Sequence, residues 1–110
     1  MDIDSLAASQ GFTTEEFLKI VDVFIDVSRS DVDRMAKAIE NQDAATTGDA
    51  AHSLKGAAGN LGFFDLFEAA KRAETQAKSN DLDQARETLS HVRGMVEAIA
   101  RDVRHKDAAP

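Results

Sequence analysis

The only proline of this 110-residue sequence is its last residue, so no earlier position lacks the backbone N–H that a helix needs. The glycines lie mainly where helical segments could end, and β-branched residues never gather into the alternating runs that are typical of strands. Apolar residues instead recur at steps of three and four, which places them on one face of a helix. The sequence therefore predicts an all-α fold.

The first long helix has a complete start signal in residues 12–17. Thr13 is the predicted N-cap, Glu16 completes a capping box three positions later, and Phe12 and Phe17 form a hydrophobic staple. One apolar face continues from there to about Asn41 and contains Phe17, Ile20, Val21, Phe24, Val32, Met35 and Ile39.

A second helix is predicted from Asp43, its N-cap, to Leu61, followed by Gly62 at the left-handed position after the helix. Thr47 is an alternative start, because Gly48 weakens the first turns. Upstream of the first long helix, residues 4–10 predict a short leading helix that ends at a glycine and can bury only one leucine, Leu6, and two alanines.

Two more helices complete the chain. The third carries an apolar face of Leu66, Ala70, Ala73 and Ala77 and runs out near residue 80. Asp81 and Gln84 cap the fourth, whose face contains Ala85, Leu89, Val92, Val96, Ile99 and Val103.

Four amphipathic helices with very short connections pack most simply as an antiparallel up-and-down four-helix bundle, here with a short extra N-terminal helix. Residues 1–110 are predicted to form a single domain, with the bundle over about residues 12–103 and a frayed polar tail over residues 104–110.

Composition narrows the classes of partner. The net charge of −7, with no basic run and no Trp or Tyr, argues against nucleic acid. There is no Cys, and no apolar run approaches the roughly 20 residues of a membrane span. We expect a cytoplasmic protein that binds neither nucleic acid nor membrane, and a monomer, because no second apolar stripe remains.

One face of the second helix carries residues that a core does not need. His52 lies about 160° around the helix from Leu54, the centre of the buried stripe, and therefore points to solvent. Lys55, Gly56 and Gly59 follow on the same face. Each interior glycine costs about 1 kcal/mol relative to alanine, so we interpret both as room for another molecule to approach the backbone.

An exposed imidazole is partly neutral at pH 7, so His52 is a candidate nucleophile. Lys55, one turn later, can pair with an anion attached to the ring. Asp49, one turn before, favours protonation of the ring and repels an anion, unless it hydrogen-bonds the other ring nitrogen. His91 and His105 have no such surroundings and are assigned no role; neither has the i+4 partner that would suggest a metal site.

The segment His52-Ser53-Leu54-Lys55-Gly56, followed by Ala57-Ala58-Gly59-Asn60-Leu61-Gly62, resembles the signature of histidine-containing phosphotransfer (HPt) domains. The resemblance implies a four-helix phosphocarrier of two-component phosphorelays, which accepts a phosphoryl group from an aspartate of one receiver domain and passes it to another. By position, His52 would be the phosphoacceptor and Lys55 the phosphate-stabilising charge, while Gly56 and Gly59 would give clearance for the receiver. The segment Asn60-Leu61-Gly62 would close the helix.

The resemblance also implies the partners, which are response-regulator receiver domains, a hybrid sensor histidine kinase, or both. Asp49, Phe64 and Phe67 are candidate contacts for them, although the edge of the core is the favoured interpretation of the two phenylalanines. The sequence has no glycine-rich nucleotide loop, so we expect a stoichiometric intermediate and not an enzyme. No cofactor is expected on this chain, with Mg²⁺ in the receiver. The alternative is a helical adaptor or kinase-regulating module with an incidental histidine.

Overall fold

The computed structural model describes residues 1–108, in which five α-helices and no strands are found. They are α1 (Ile3–Ser9), α2 (Thr14–Glu40), α3 (Ala44–Asn60), α4 (Phe64–Lys78) and α5 (Leu82–Ala108). The prediction of an all-α fold with a short leading helix is confirmed. Among the described residues, no helix is both long and apolar enough to cross a membrane.

The helix starts follow the predicted local chemistry. Thr13 and Glu16 form both hydrogen bonds of the capping box at the start of α2. Asp43 accepts from the backbone N–H of Thr46 at 3.0 Å, so Asp43 is the N-cap of α3 and the helix does not start at the alternative Thr47. Asp81 accepts from the Gln84 N–H at 3.2 Å and caps α5 in the same way.

The four long helices surround one core. α2 and α4 each pack against both α3 and α5, and α1 packs against α2. All the apolar positions predicted for α2, α4 and α5 are buried except Ile20 of α2, which is only partly buried. The predicted apolar faces therefore meet in the centre of the bundle.

Two predictions about the chain ends are wrong. In α1 the buried side chains are Ile3 and Ala7, whereas Leu6 is only partly buried. At the other end, α5 continues to Ala108 where a frayed tail was expected from residue 104. Lys106 Nζ donates to Asp4 Oδ2 at 2.7 Å, so a contact with α1 holds this last turn. Residues 109–110 of the predicted tail lie outside the described residues.

One buried side-chain oxygen of the described residues has no hydrogen-bond partner. The Ser28 hydroxyl is fully buried in α2, and no hydrogen bond to it is found within residues 1–108. A buried hydroxyl without a partner costs about 1 to 3 kcal/mol. We therefore expect Ser28→Ala to raise the free energy of unfolding by about 1 kcal/mol in urea denaturation.

A matched substitution provides the control. Ser53 Oγ donates to the buried Asp31 carboxylate at 2.8 Å, so Ser53→Ala is expected to lower the free energy of unfolding by about 1 kcal/mol. A loss of stability in Ser28→Ala as well would contradict the assignment of Ser28 as an unsatisfied group.

Candidate functional site

His52 stands on the outer face of α3, as predicted. Its side chain is 68% exposed, while its neighbours Ala51 and Leu54 are fully buried in the core. This contrast in exposure follows from the helical repeat, because a residue two positions from Leu54 points away from the bundle. The imidazole is thus accessible to a second protein.

A carboxylate from α4 organises the surroundings of this ring. Glu74 is only 8% exposed, and its Oε2 lies 2.7 Å from His52 Nδ1. Its other oxygen, Oε1, accepts from Lys55 Nζ at 2.7 Å. Lys78, one turn later on α4, places its Nζ 3.6 Å from Oε2. One buried carboxylate therefore holds the imidazole and the ammonium group of Lys55 in a fixed relation.

The charge of Glu74 follows from these contacts. The hydrogen bond from Lys55 is the largest cause that lowers the pKa of Glu74, and it outweighs the opposing effect of burial; the contact with His52 lowers the pKa further. The carboxylate is ionised at neutral pH and can only accept hydrogen bonds. His52 Nδ1 must therefore carry the proton, and the lone pair of the neutral ring lies on Nε2.

The two glycines of this face have different surroundings. A Cβ atom added at Gly56 would meet nothing within 4 Å, so this part of the backbone is open. A Cβ at Gly59 would lie 3.1 Å from Cδ2 of Phe67 in α4. The interpretation of Gly59 as clearance on an exposed face is wrong, because Gly59 is half-buried and permits close packing of α3 on α4.

This difference predicts opposite outcomes for the same substitution. Gly56→Ala is expected to raise the free energy of unfolding by about 1 kcal/mol, because alanine favours the helix and nothing obstructs its methyl group. Gly59→Ala should show no such gain, because the Phe67 ring must move to admit the methyl group. Urea denaturation of the pair measures the difference; equal stabilisation by both would contradict it.

The other candidate contacts are dispersed around His52. Asp49 is exposed one turn before it on α3, but the partner of the ring nitrogen is Glu74, so the option that Asp49 bonds the ring is wrong. Phe64 is 67% exposed, whereas Phe67 is half-buried against Gly59. These two phenylalanines therefore do not form one exposed patch. His91 and His105 are both exposed on α5.

Sequence reasoning missed Glu74, although a signal was present. Glu74 lies four residues after Ala70 and three before Ala77, which places a carboxylate within the apolar stripe of α4. A buried carboxylate needs partners, so its position alone indicated that a cation or hydrogen-bond donor faces it from another helix.

A second missed feature is an exposed apolar pair on α2. Val23 and Val27 are one helical turn apart and both are exposed. Val27 lies one turn before Asp31, which contacts Ser53, the residue after His52. The exposed valines therefore lie one and two helical turns before a residue of α2 that contacts α3 beside His52.

Among the described residues, no group of three or more His, Cys, Asp or Glu side chains could hold a metal ion. In comparisons with known proteins, the model of a family described as the Hpt domain matches residues 19–102. No curated protein and no solved structure matches the chain. The matched region contains every residue around the His52 ring described above.

Proposed function

The chain belongs to the Hpt domain family, and from that premise we propose that it is a phosphocarrier in which His52 transfers a phosphoryl group between receiver-domain aspartates. The observation that carries the assignment to His52 is the 2.7 Å contact of its Nδ1 with Glu74, beside the ammonium group of Lys55. This contact leaves Nε2 of an exposed ring as the nucleophile.

The transfer step balances without an added reagent. The Nε2 lone pair attacks the phosphorus of an aspartyl phosphate; the N–P bond forms as the P–O bond to aspartate breaks, and the carboxylate leaves with the bonding electrons. The ring becomes cationic and keeps its proton on Nδ1. In the second transfer, a carboxylate oxygen of another receiver attacks phosphorus, and the N–P electron pair returns to Nε2.

Glu74 and Lys55 stabilise the two charges that this step creates. The Glu74 carboxylate faces Nδ1–H and favours the cationic ring, which is also the better leaving group in the second transfer. Lys55 uses one of its three N–H donors on Glu74 and has others for the phosphoryl oxygens. Holding both groups on one buried carboxylate positions them before the phosphoryl group arrives.

We propose that the receiver docks over the open backbone at Gly56. Its apolar contacts would come from Val23 and Val27 of α2, which are exposed two turns and one turn before Asp31, the partner of Ser53. Exposed apolar side chains that lie next to one another are typical of interaction surfaces. Asp49, Phe64 and Phe67 stay candidates for the periphery of the same contact.

The antiparallel order of α2–α5 is part of the proposal. Three connections of three residues each join these helices, which leaves no length for a crossover. Across α3 and α4, His52 contacts Glu74 and Gly59 approaches Phe67, so residue numbers rise along one helix as they fall along the other. An up-and-down bundle accounts for both observations.

The proposed carrier has no kinase activity and no cofactor of its own. Its donors and acceptors are receiver domains, either free or attached to a hybrid sensor histidine kinase, and Mg²⁺ belongs to the receiver's site. We further propose that it acts as a cytoplasmic monomer. Each transfer consumes one phosphoryl group per chain, so the protein acts stoichiometrically.

Transfer of labelled phosphate tests the function. Receiver domains charged with ³²P from acetyl phosphate are mixed with the full chain, and we expect label on the chain that survives base and is released by acid, as a phosphorus–nitrogen bond requires. Acid-stable label would indicate a hydroxyl acceptor and contradict the proposal. Failure of every receiver in a broad panel to transfer its label would also contradict it.

Gly56→Leu tests the docking surface. The leucine side chain would stand in open space in the isolated protein but would obstruct a receiver that approaches the backbone. We expect transfer to slow by about tenfold, since overpacking an interface by one side chain costs about 1 to 3 kcal/mol, while the free energy of unfolding stays at or above that of the wild type. Unchanged transfer would contradict docking over Gly56.

A further inference from the structure

A second concave surface lies away from His52. A groove with a volume of about 650 Å³ runs between α1, the start of α4 and the last half of α5. Its apolar lining comes mainly from Leu6, Phe63, Phe64, Leu66, Met95 and Ile99. Phe64 and Met1 are among the most exposed large apolar side chains of the described residues, and both border it. The groove is large enough to take several apolar side chains of another molecule.

The charged side chains around this groove are all acidic. Asp2, Asp65 and Asp102 line it, and no Lys, Arg or His side chain is found among the described residues that do. The amino group of Met1 lies 3.9 Å from Asp102, which offsets one of the three charges. The hydrogen bonds from Ser5 lower the pKa of Asp2, so its carboxylate is ionised at neutral pH. An apolar occupant with cationic groups at its edges would complement this surface.

The groove is separate from the proposed phosphoacceptor site. No residue of α3 lines it, and His52, Lys55, Gly56 and Glu74 are all absent from its walls. One of its walls is α1 (Ile3–Ser9), which lies outside the residues matched by the Hpt family model. Leu6 of α1 approaches Gly62 so closely that an added Cβ would lie 2.9 Å from its Cδ1, so α1 contacts the connection between α3 and α4.

We propose that this groove binds a basic amphipathic helix of a partner protein, with apolar side chains seated between α1 and α5 and Lys or Arg side chains directed at Asp2, Asp65 and Asp102. Such a segment would bind independently of the state of His52, because His52, Lys55, Gly56 and Glu74 do not line the groove and only Phe64 is shared with the candidate periphery of the receiver contact. The partner could then be retained while receivers exchange at α3. The acidic groove also discriminates against acidic segments by charge repulsion.

The three methionines of the chain provide a direct readout. Met1 and Met95 line the groove, whereas Met35 is fully buried in the core. The probe is a synthetic 14-residue peptide of leucine and lysine, with leucines at helical spacing on one face. In the full chain labelled with ¹³C at the methionine methyl groups, we expect the peptide to shift the Met1 and Met95 NMR signals and leave that of Met35 unchanged.

Two peptides and two variants make the test specific. A leucine–glutamate peptide of the same pattern and a scrambled leucine–lysine peptide should both bind at least tenfold more weakly than the probe. Ala98→Arg places a bulky cation in the groove and should lower the affinity for the probe peptide at least tenfold. Ser90→Arg adds the same charge elsewhere on α5 and should lower this affinity less than twofold. An unchanged Met35 signal shows that each variant is folded.

Several outcomes would overturn the proposal. Equal binding of the acidic peptide would show that charge does not select the occupant, and equal binding to Ala98→Arg would place the peptide elsewhere. Shifts of Met1 and Met95 on concentrating the chain alone would assign the groove to a second copy. No step of the experiment uses a phosphoryl group, so its result and that of the labelling experiment are independent.

Discussion

Replacement of His52 by glutamine is expected to abolish the acid-labile labelling of the chain by phosphorylated receivers. Glutamine removes the only ring nitrogen that the geometry leaves as a nucleophile beside Lys55, and its amide is too weakly nucleophilic to replace it. The fold should persist, because His52 is exposed and Glu74 keeps its hydrogen bond from Lys55. Receiver-to-chain transfer of ³²P, with thermal unfolding as the check on folding, measures both effects.

The chain contains its own controls for this substitution. His91 and His105 are exposed on α5, so His91→Gln and His105→Gln change the same chemistry at a surface without a buried carboxylate partner in the described structure. Both variants should be labelled as the wild type is. Label that persists in His52→Gln and disappears in either control would assign the acceptor elsewhere, and normal regulation of a partner by unlabelled His52→Gln would favour the adaptor interpretation.

Local signals explain the parts of the fold that sequence could predict. The caps at Thr13, Asp43 and Asp81 each involve a backbone N–H three residues later, so both partners lie within one turn of sequence. The apolar face of α5 is equally local, because its helical period alone places Val92 and Val96 in the core. The outward direction of His52 follows from the same period.

The features that sequence could not predict depend on contacts between distant residues. His52 and Glu74 are 22 positions apart, and Lys106 and Asp4 are 102 apart, so neither pair is visible in any one helix. The role of Gly59 could not be predicted from α3 alone, because only the position of Phe67 in α4 distinguishes close packing from open space. The sequence therefore predicted that His52, Lys55 and Gly56 lie on one face of α3, but not the carboxylate that contacts both His52 and Lys55.

Replacement of Glu74 by glutamine is expected to slow phosphoryl transfer by about 100-fold. A hydrogen bond to a charged group contributes about 1.5 to 3 kcal/mol, and each 1.4 kcal/mol on the barrier is tenfold in rate. The upper end of this energy range applies because Glu74 is almost completely buried and its carboxylate contacts both the imidazole and Lys55. A neutral amide would neither stabilise the cationic ring nor hold the ammonium group in place.

The pH dependence of the free energy of unfolding tests whether the negative charge of Glu74 stabilises the fold. The hydrogen bond from Lys55 holds the pKa of folded Glu74 below its unfolded value, so the stabilisation is fully present above the unfolded pKa and is lost as the pH falls through the folded pKa. Wild type should lose stability in that acidic range, and Glu74→Gln should lose less of it there. Equal acid sensitivity of both proteins would contradict this assignment.

Lys78→Gln separates a specific role of Glu74 from a general effect of charge near His52. Lys78 is also a cation paired with Glu74, but its Nζ is 3.6 Å away and its side chain is largely exposed, so its contribution is screened by water. We expect transfer to slow by less than threefold in Lys78→Gln and by at least tenfold in Lys55→Gln. ¹⁵N NMR of the imidazole should show the proton on Nδ1 in wild type and in Lys78→Gln. A proton on Nε2 of the neutral wild-type ring would contradict the mechanism, because the lone pair would then lie on the nitrogen that faces Glu74.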